Sequence, residues 1–213
     1  MQRLEASPLF LAYGIYKPHL PWNVPRRYFD LYPLEQIQLP PSRPDDLDDV
    51  PAIAAAWART DGESGVKMEK SDHEIVVAEG KWREAVQAYL ASITFADAQL
   101  GRLLDAIDRS PERDNTIVVL WGDHDWHLGE KPHRRKFTLW EEGTRTPLIW
   151  VVPGVTPAGG AMQSAGRSDE RVSDARGALR PHATAARARA EHPAAAHPSA
   201  RRLARAGGLD VSE

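Results

Sequence analysis

Cysteine is absent from all 213 residues. Disulfides, thiolate metal sites and cysteine nucleophiles are therefore excluded together. Long apolar runs are also missing. The longest, around Leu9–Ile15 and Leu148–Val152, are strand-sized and well short of the roughly 18 residues a membrane span needs, so no membrane partner is expected. Neither sign of charge dominates. A formal net charge of −3 argues against a general polyanion binder, and no nucleic-acid partner is expected. The start, Met1-Gln2-Arg3-Leu4-Glu5, meets only a few apolar residues before Lys17, so no signal peptide is expected in it.

The most informative absence is regional. From Ala158 to Glu213 there is no aromatic residue, no isoleucine and no lysine, against 16 alanines and nine arginines. Such a segment cannot bury enough apolar surface to offset its chain entropy. Residues 158–213 therefore read as a low-complexity tail, disordered or loosely helical, and residues 1–157 as the folded part. With six acids the tail carries +3, which leaves −6 for residues 1–157. A basic tail that meets something acidic is one origin for this composition. GC-rich coding DNA translated out of frame is the other, since it yields arginine without lysine.

What is present points to α/β architecture. Residues 8–16 form a mostly apolar run that predicts a buried strand ending at Lys17-Pro18-His19. Residues 33–51 are proline-rich and carry the acidic cluster Asp45, Asp46, Asp48 and Asp49, which reads as an irregular, solvated excursion. Between Lys81 and Arg109, apolar residues from Trp82 through Val86, Tyr89, Leu90 and Ile93 to Ile107 recur at three- and four-residue steps. That spacing predicts one long amphipathic helix. Thr116–Trp121 and Pro147–Val152 read as buried strands, and their apolar continuity predicts a mostly parallel sheet flanked by helices.

The chemistry concentrates after the Thr116–Trp121 strand. Residues 123–136 hold three histidines (His124, His127, His133), three acids (Asp123, Asp125, Glu130) and four cations (Lys131, Arg134, Arg135, Lys136). Carboxylate and imidazole at a strand end suit a divalent cation. Lysine and arginine beside them suit an anionic substrate such as sulfate or phosphate. A plain hydrogen-bonded loop accounts for the Asp-His pair equally well. Lys17-Pro18-His19 offers another cation and imidazole, on a proline that suits either an aimed side chain or an ordinary turn.

Several linked motifs, in order, carry a resemblance. They are Leu9-Phe10-Leu11-Ala12 with Lys17-Pro18-His19-Leu20-Pro21, Tyr28-Phe29-Asp30-Leu31-Tyr32-Pro33, the run from Tyr89 to Leu104, Asn115–Val119, Trp121–Glu130, and Lys136–Leu148. From about Pro8 to Thr156 the sequence resembles the sulfatase family, in particular iduronate-2-sulfatase-like and choline-sulfatase-like enzymes of the alkaline phosphatase-like fold. The resemblance implies sulfate ester hydrolysis, with a sulfated small molecule or glycan as partner, by enzymes that are typically exported. It implies that Asp123 and His124 ligate an active-site calcium, that Lys136 contacts the sulfate and that His19 bonds a sulfate oxygen or the leaving group. Lys17 and His127 match positions on the substrate side. Imidazole is an unusual ligand for calcium, so manganese or zinc stays open, as in the phosphonate and phosphodiester hydrolases of the same superfamily. A non-catalytic remnant that binds sulfated glycans is a further reading.

The departures matter as much. The family's Cys-x-Pro-x-Arg motif, whose cysteine becomes the formylglycine nucleophile, has no counterpart here, and neither has the Asp-Asp half of the metal shell. Loss of a nucleophile costs on the order of 10⁶ in rate, so the chain alone is expected to be inert and to hold calcium poorly. Asp125 stands where the family has glycine, and a left-handed backbone there would be strained.

Overall fold

A computed structural model describes residues 8–59 and 69–161. Most of the expected tail lies outside the described residues. In chain order the helices are α1 (Arg26–Phe29), α2 (Ala52–Ala58), α3 (Asp72–Ala78), α4 (Trp82–Asp108) and α5 (Glu141–Thr144). The strands are β1 (Val118–Trp121), β2 (His127–Leu128), β3 (Arg134–Arg135) and β4 (Leu148–Val151).

The long helix forms where the periodicity places it, with Val86, Tyr89 and Leu104 buried. Its apolar face gathers the chain preceding it. The Tyr28 ring meets Phe95 edge-on at 5.5 Å. Gln87 Nε2 donates to the Tyr32 carbonyl at 2.7 Å, and the Tyr32 and Thr94 hydroxyls lie 2.6 Å apart. The short helix before it, α3, starts on a capping box. Ser71 Oγ accepts from the Glu74 amide at 3.2 Å, while the Glu74 carboxylate accepts from the Ser71 amide at 2.7 Å. Two amides that the first turn leaves without helical partners are thereby satisfied. Removing the hydroxyl with Ser71→Ala is expected to cost about 1 kcal/mol, to be checked by urea unfolding.

The α/β class holds, but the described strands do not pair in parallel. β1 and β4 are antiparallel, with Val118 opposite Val151 and Trp121 opposite Leu148. β2 and β3 form a second antiparallel pair, with His127 opposite Arg135. The physical reason is the connection. A parallel neighbour needs a crossover, usually a helix, whereas between β1 and β4 lie only the small ribbon and the four residues of α5. The expected buried strand at residues 8–16 is also corrected. This segment has no regular secondary structure and no ladder among the described residues, and Leu9 and Phe10 are 89% and 88% exposed. An apolar run supplies the side chains of a buried strand, but its burial depends on a partner that the run cannot specify.

Candidate active site

Two loops converge on one indole. Trp126, buried just beyond β1, has His19 edge-on at a centroid separation of 5.8 Å and His124 tilted at 6.5 Å. Trp22 at 6.3 Å and the stacked Tyr89 ring at 6.3 Å close its other contacts. The structure thus joins the Lys17-Pro18-His19 turn to the Asp123-His124 strand end, which lie about a hundred residues apart in the chain. Sequence reasoning passed over Trp126. Its position inside the densest charged stretch of the chain was the available signal.

Local bonds fix the ring states. His124 Nδ1 lies 3.0 Å from the Asp125 carbonyl, which can only accept, so Nδ1 carries a proton and Nε2 is the nitrogen that offers a lone pair in the neutral ring. That Nε2 sits 3.6 Å from Asp123 Oδ2, on a carboxylate whose side chain is 87% exposed. With the ring neutral, that nitrogen and the carboxylate are two electron-pair donors at a separation that suits a cation between them. Among the described residues no group of three or more His, Asp or Glu forms a metal cluster. Asp123 and His124 fit as part of a coordination shell. His19 Nδ1 lies 2.7 Å from the Leu20 carbonyl and 2.8 Å from the Tyr16 hydroxyl. The same reasoning puts its proton on Nδ1.

Asp125 is not among the residues with positive φ, so the anticipated backbone strain is absent. Its amide instead donates to the Gly143 carbonyl at 3.0 Å, and its carboxylate receives the Tyr89 hydroxyl at 3.4 Å. Burial pushes the Asp125 carboxyl above its ordinary range and the Tyr89 hydroxyl likewise.

The other expected site residues are placed less directly. Lys17 folds back on its own turn, donating to the Pro21 carbonyl and reaching the His19 carbonyl at 3.5 Å. Lys136 is half-buried, with Nζ 5.7 Å from the Phe137 ring centroid. His127 has no exposed surface at all (0%). Its Nε2 bonds the Thr138 hydroxyl at 2.7 Å, and its ring packs edge-on against His133 at 5.0 Å and Trp140 at 5.8 Å. In this geometry His127 ties the Asp123-His124 loop to the segment bearing Lys136. Burial holds its pKa below the ordinary imidazole value.

The Sulfatase family model matches residues 2–176, and the chain belongs to that family. Its fold is alkaline phosphatase-like. A curated relative, a sulfatase of Formosa agariphila, is 44% identical over 149 residues, covering 70% of this chain and 28% of the relative. Human iduronate 2-sulfatase is 37% identical over 160 residues, covering 72% of this chain and 28% of the relative. Among solved structures, the phosphonate monoester hydrolase of Silicibacter pomeroyi superposes with a TM-score of 0.53 at 26% identity, covering 66% of this chain and 28% of that one. The chain thus spans under a third of the length of the curated relatives it matches.

Proposed function

We propose that this chain carries one part of the site of a calcium-dependent sulfate ester hydrolase, with a sulfated carbohydrate as substrate. The observation supporting it is the Asp123–His124 donor pair, held at the end of β1 against the same indole as His19. The name of the iduronate relative supports the carbohydrate. A divalent ion, when bound, supplies positive charge to the sulfate oxygens as the ester S–O bond polarises. Asp123 and His124 Nε2 hold it. His19, with its proton committed to Leu20 through Nδ1, leaves proton exchange with a sulfate or leaving-group oxygen to Nε2. Lys136 contributes a fixed positive charge where negative charge develops. Trp126 positions both imidazoles. His127 acts as a positioning residue through Thr138. None of the 213 residues is a cysteine and no Ser-x-Pro-x-Arg occurs among them, so these residues alone provide no formylglycine precursor in the family's motif, and the chain alone should not turn over.

The test is calorimetric titration of the chain with Ca²⁺, Mn²⁺ and Zn²⁺ in turn. Asp123→Asn and His124→Ala are each expected to weaken the bound ion by about 10- to 100-fold. Equal affinity in either variant would overturn the metal assignment. Metal-dependent hydrolysis of an aryl sulfate by the purified chain would overturn the expected inertness.

A further inference from the structure

Among the described residues the buried histidines all lie where the β2–β3 ribbon meets α3 and the start of α4. His73 belongs to α3, while His127 and His133 belong to the ribbon and its turn. The His73 ring meets Trp82 edge-on at 4.8 Å, and His133 lies 5.0 Å from His127 and 6.5 Å from Trp140. Arg134 on β3 is buried in the same packing, its guanidinium carbon 5.6 Å from the Trp82 centroid. Nδ1 of His73, Nε2 of His133, and Nε and Nη2 of Arg134 are all buried without a hydrogen-bond partner.

Charged neighbours do not compensate this cluster. His73 is faced by Glu74, Arg134 and His133, and His133 by Asp72, Arg135 and His127. Glu74 accepts from the Ser71 amide at 2.7 Å, Glu130 accepts from the Leu128 amide at 2.8 Å, and Asp72 pairs with Arg135. Imidazole is the side chain that takes up a proton in mild acid. A proton on His73 adds a second positive charge beside Arg134, and a proton on His133 is opposed by Arg135. Both charges would stand in a space with little water, where they are costly. Burial therefore holds each imidazole at about 4 instead of 6.5. A ring released into water regains its ordinary value, so falling pH favours release across that interval.

The opposite side of α4 carries none of this chemistry. There the helix is held by Tyr28 on Phe95, by the Gln87 amide on the Tyr32 carbonyl and by Thr94 on the Tyr32 hydroxyl. None of these groups titrates in mild acid.

We propose that the β2–β3 ribbon is an acid-released latch: protons on His73 and His133 free it from α3 and from Trp82, while α4 stays packed on α1. Lys136 directly follows β3, whereas the Asp123-His124 loop is held through Trp126 by Tyr89 and Trp22. Release thus withdraws the cation and leaves the donor pair in place. The latch rests on packing alone, and only its effect on a sulfate ester rests on the reading of Lys136 above.

Hydrogen exchange of the full chain, followed by mass spectrometry and corrected for the intrinsic effect of pH on exchange, tests the proposal. Between pH 7 and about pH 4.5, amides of residues 127–135 are expected to lose roughly 100-fold or more in protection, while those of residues 86–104 stay protected. Loss of both segments at one pH overturns the proposal, and so does a ribbon that stays protected throughout. His73→Phe combined with His133→Asn keeps a ring against Trp82 and a donor for the Ala58 carbonyl. This double variant is expected to hold the ribbon closed at about pH 4.5; release as in the unmodified chain overturns the assignment. If the double variant has no cooperative melt at neutral pH, His133→Asn alone decides. Removing one of the two protons should cut the acid effect on the ribbon roughly tenfold or more, and an unchanged effect overturns the latch. Neither a metal ion nor a sulfate ester enters the measurement, so its failure leaves the sulfatase reading standing.

Discussion

Gly129→Ala is expected to destabilise the fold by about 3 kcal/mol or more. The added Cβ would lie 2.3 Å from Trp82 Cζ2 and 2.7 Å from Cε2. The indole cannot swing away cheaply, because its Nε1 donates to the Leu128 carbonyl at 2.7 Å and the Arg134 guanidinium carbon lies over its ring, 5.6 Å from the centroid. The backbone compounds the problem, since Gly129 has φ +135°, which residues with a Cβ adopt only under strain. Gly101→Ala is the internal control. It lies within α4 with nothing within 4 Å of an added Cβ, and is expected to stabilise by about 0.5–1 kcal/mol. Thermal melts of the two variants should shift in opposite directions. A Gly129→Ala melt that matches the unmodified chain would show that Trp82 and the ribbon do not pack as described.

Acid should unfold the protein well above the range in which ordinary carboxylates titrate. His133 is 1% exposed and His73 9%. Burial, aided for His73 by the charge of Arg134, lowers both imidazoles from 6.5 to about 4. In the unfolded chain they take up protons near pH 6.5, whereas in the fold they stay neutral until about pH 4. Between those values the unfolded state binds more protons, so stability is fully present above pH 6.5 and is lost as the pH falls toward 4. Each histidine contributes on the order of 3 kcal/mol to that loss. Urea midpoints measured across this interval should fall steadily with pH. His133→Asn, which keeps a donor for the Ala58 carbonyl that His133 Nδ1 reaches at 2.9 Å, should flatten the slope. A midpoint independent of pH would contradict the burial of these rings.

The long helix and the two strands flanking the charged loop were legible because periodicity and apolar continuity are local properties. Pairing direction was not, because it depends on what the intervening chain between Trp121 and Leu148 can bridge. The run at residues 8–16 shows the same limit, since apolar composition does not specify a neighbour. The capping box at Ser71–Glu74 was readable from its spacing and went unread, and with it α3. At the site, the density of charge drew attention to the loop carrying Asp123, His124 and Lys136. The role of Trp126 was only hinted at by its place in that loop, because it depends on contacts with residues far away in the chain. In the sequence Trp126 resembles any core aromatic. Only the placement of His19, Trp22, Tyr89 and His124 around it marks it as a hub.

At about 1.5 Å of rise per residue, the 27 residues of α4 make a rod about 40 Å long. Trp82 gauges the ribbon through Leu128, Gln87 and Thr94 gauge the chain at Tyr32, and Tyr89 gauges both Asp125 and Trp22. Each functional loop is therefore measured from the same ruler and not from the loop before it. Errors in placement do not accumulate along the sequence, so insertions between these loops could lengthen the connections while leaving the spacing of the reactive groups intact.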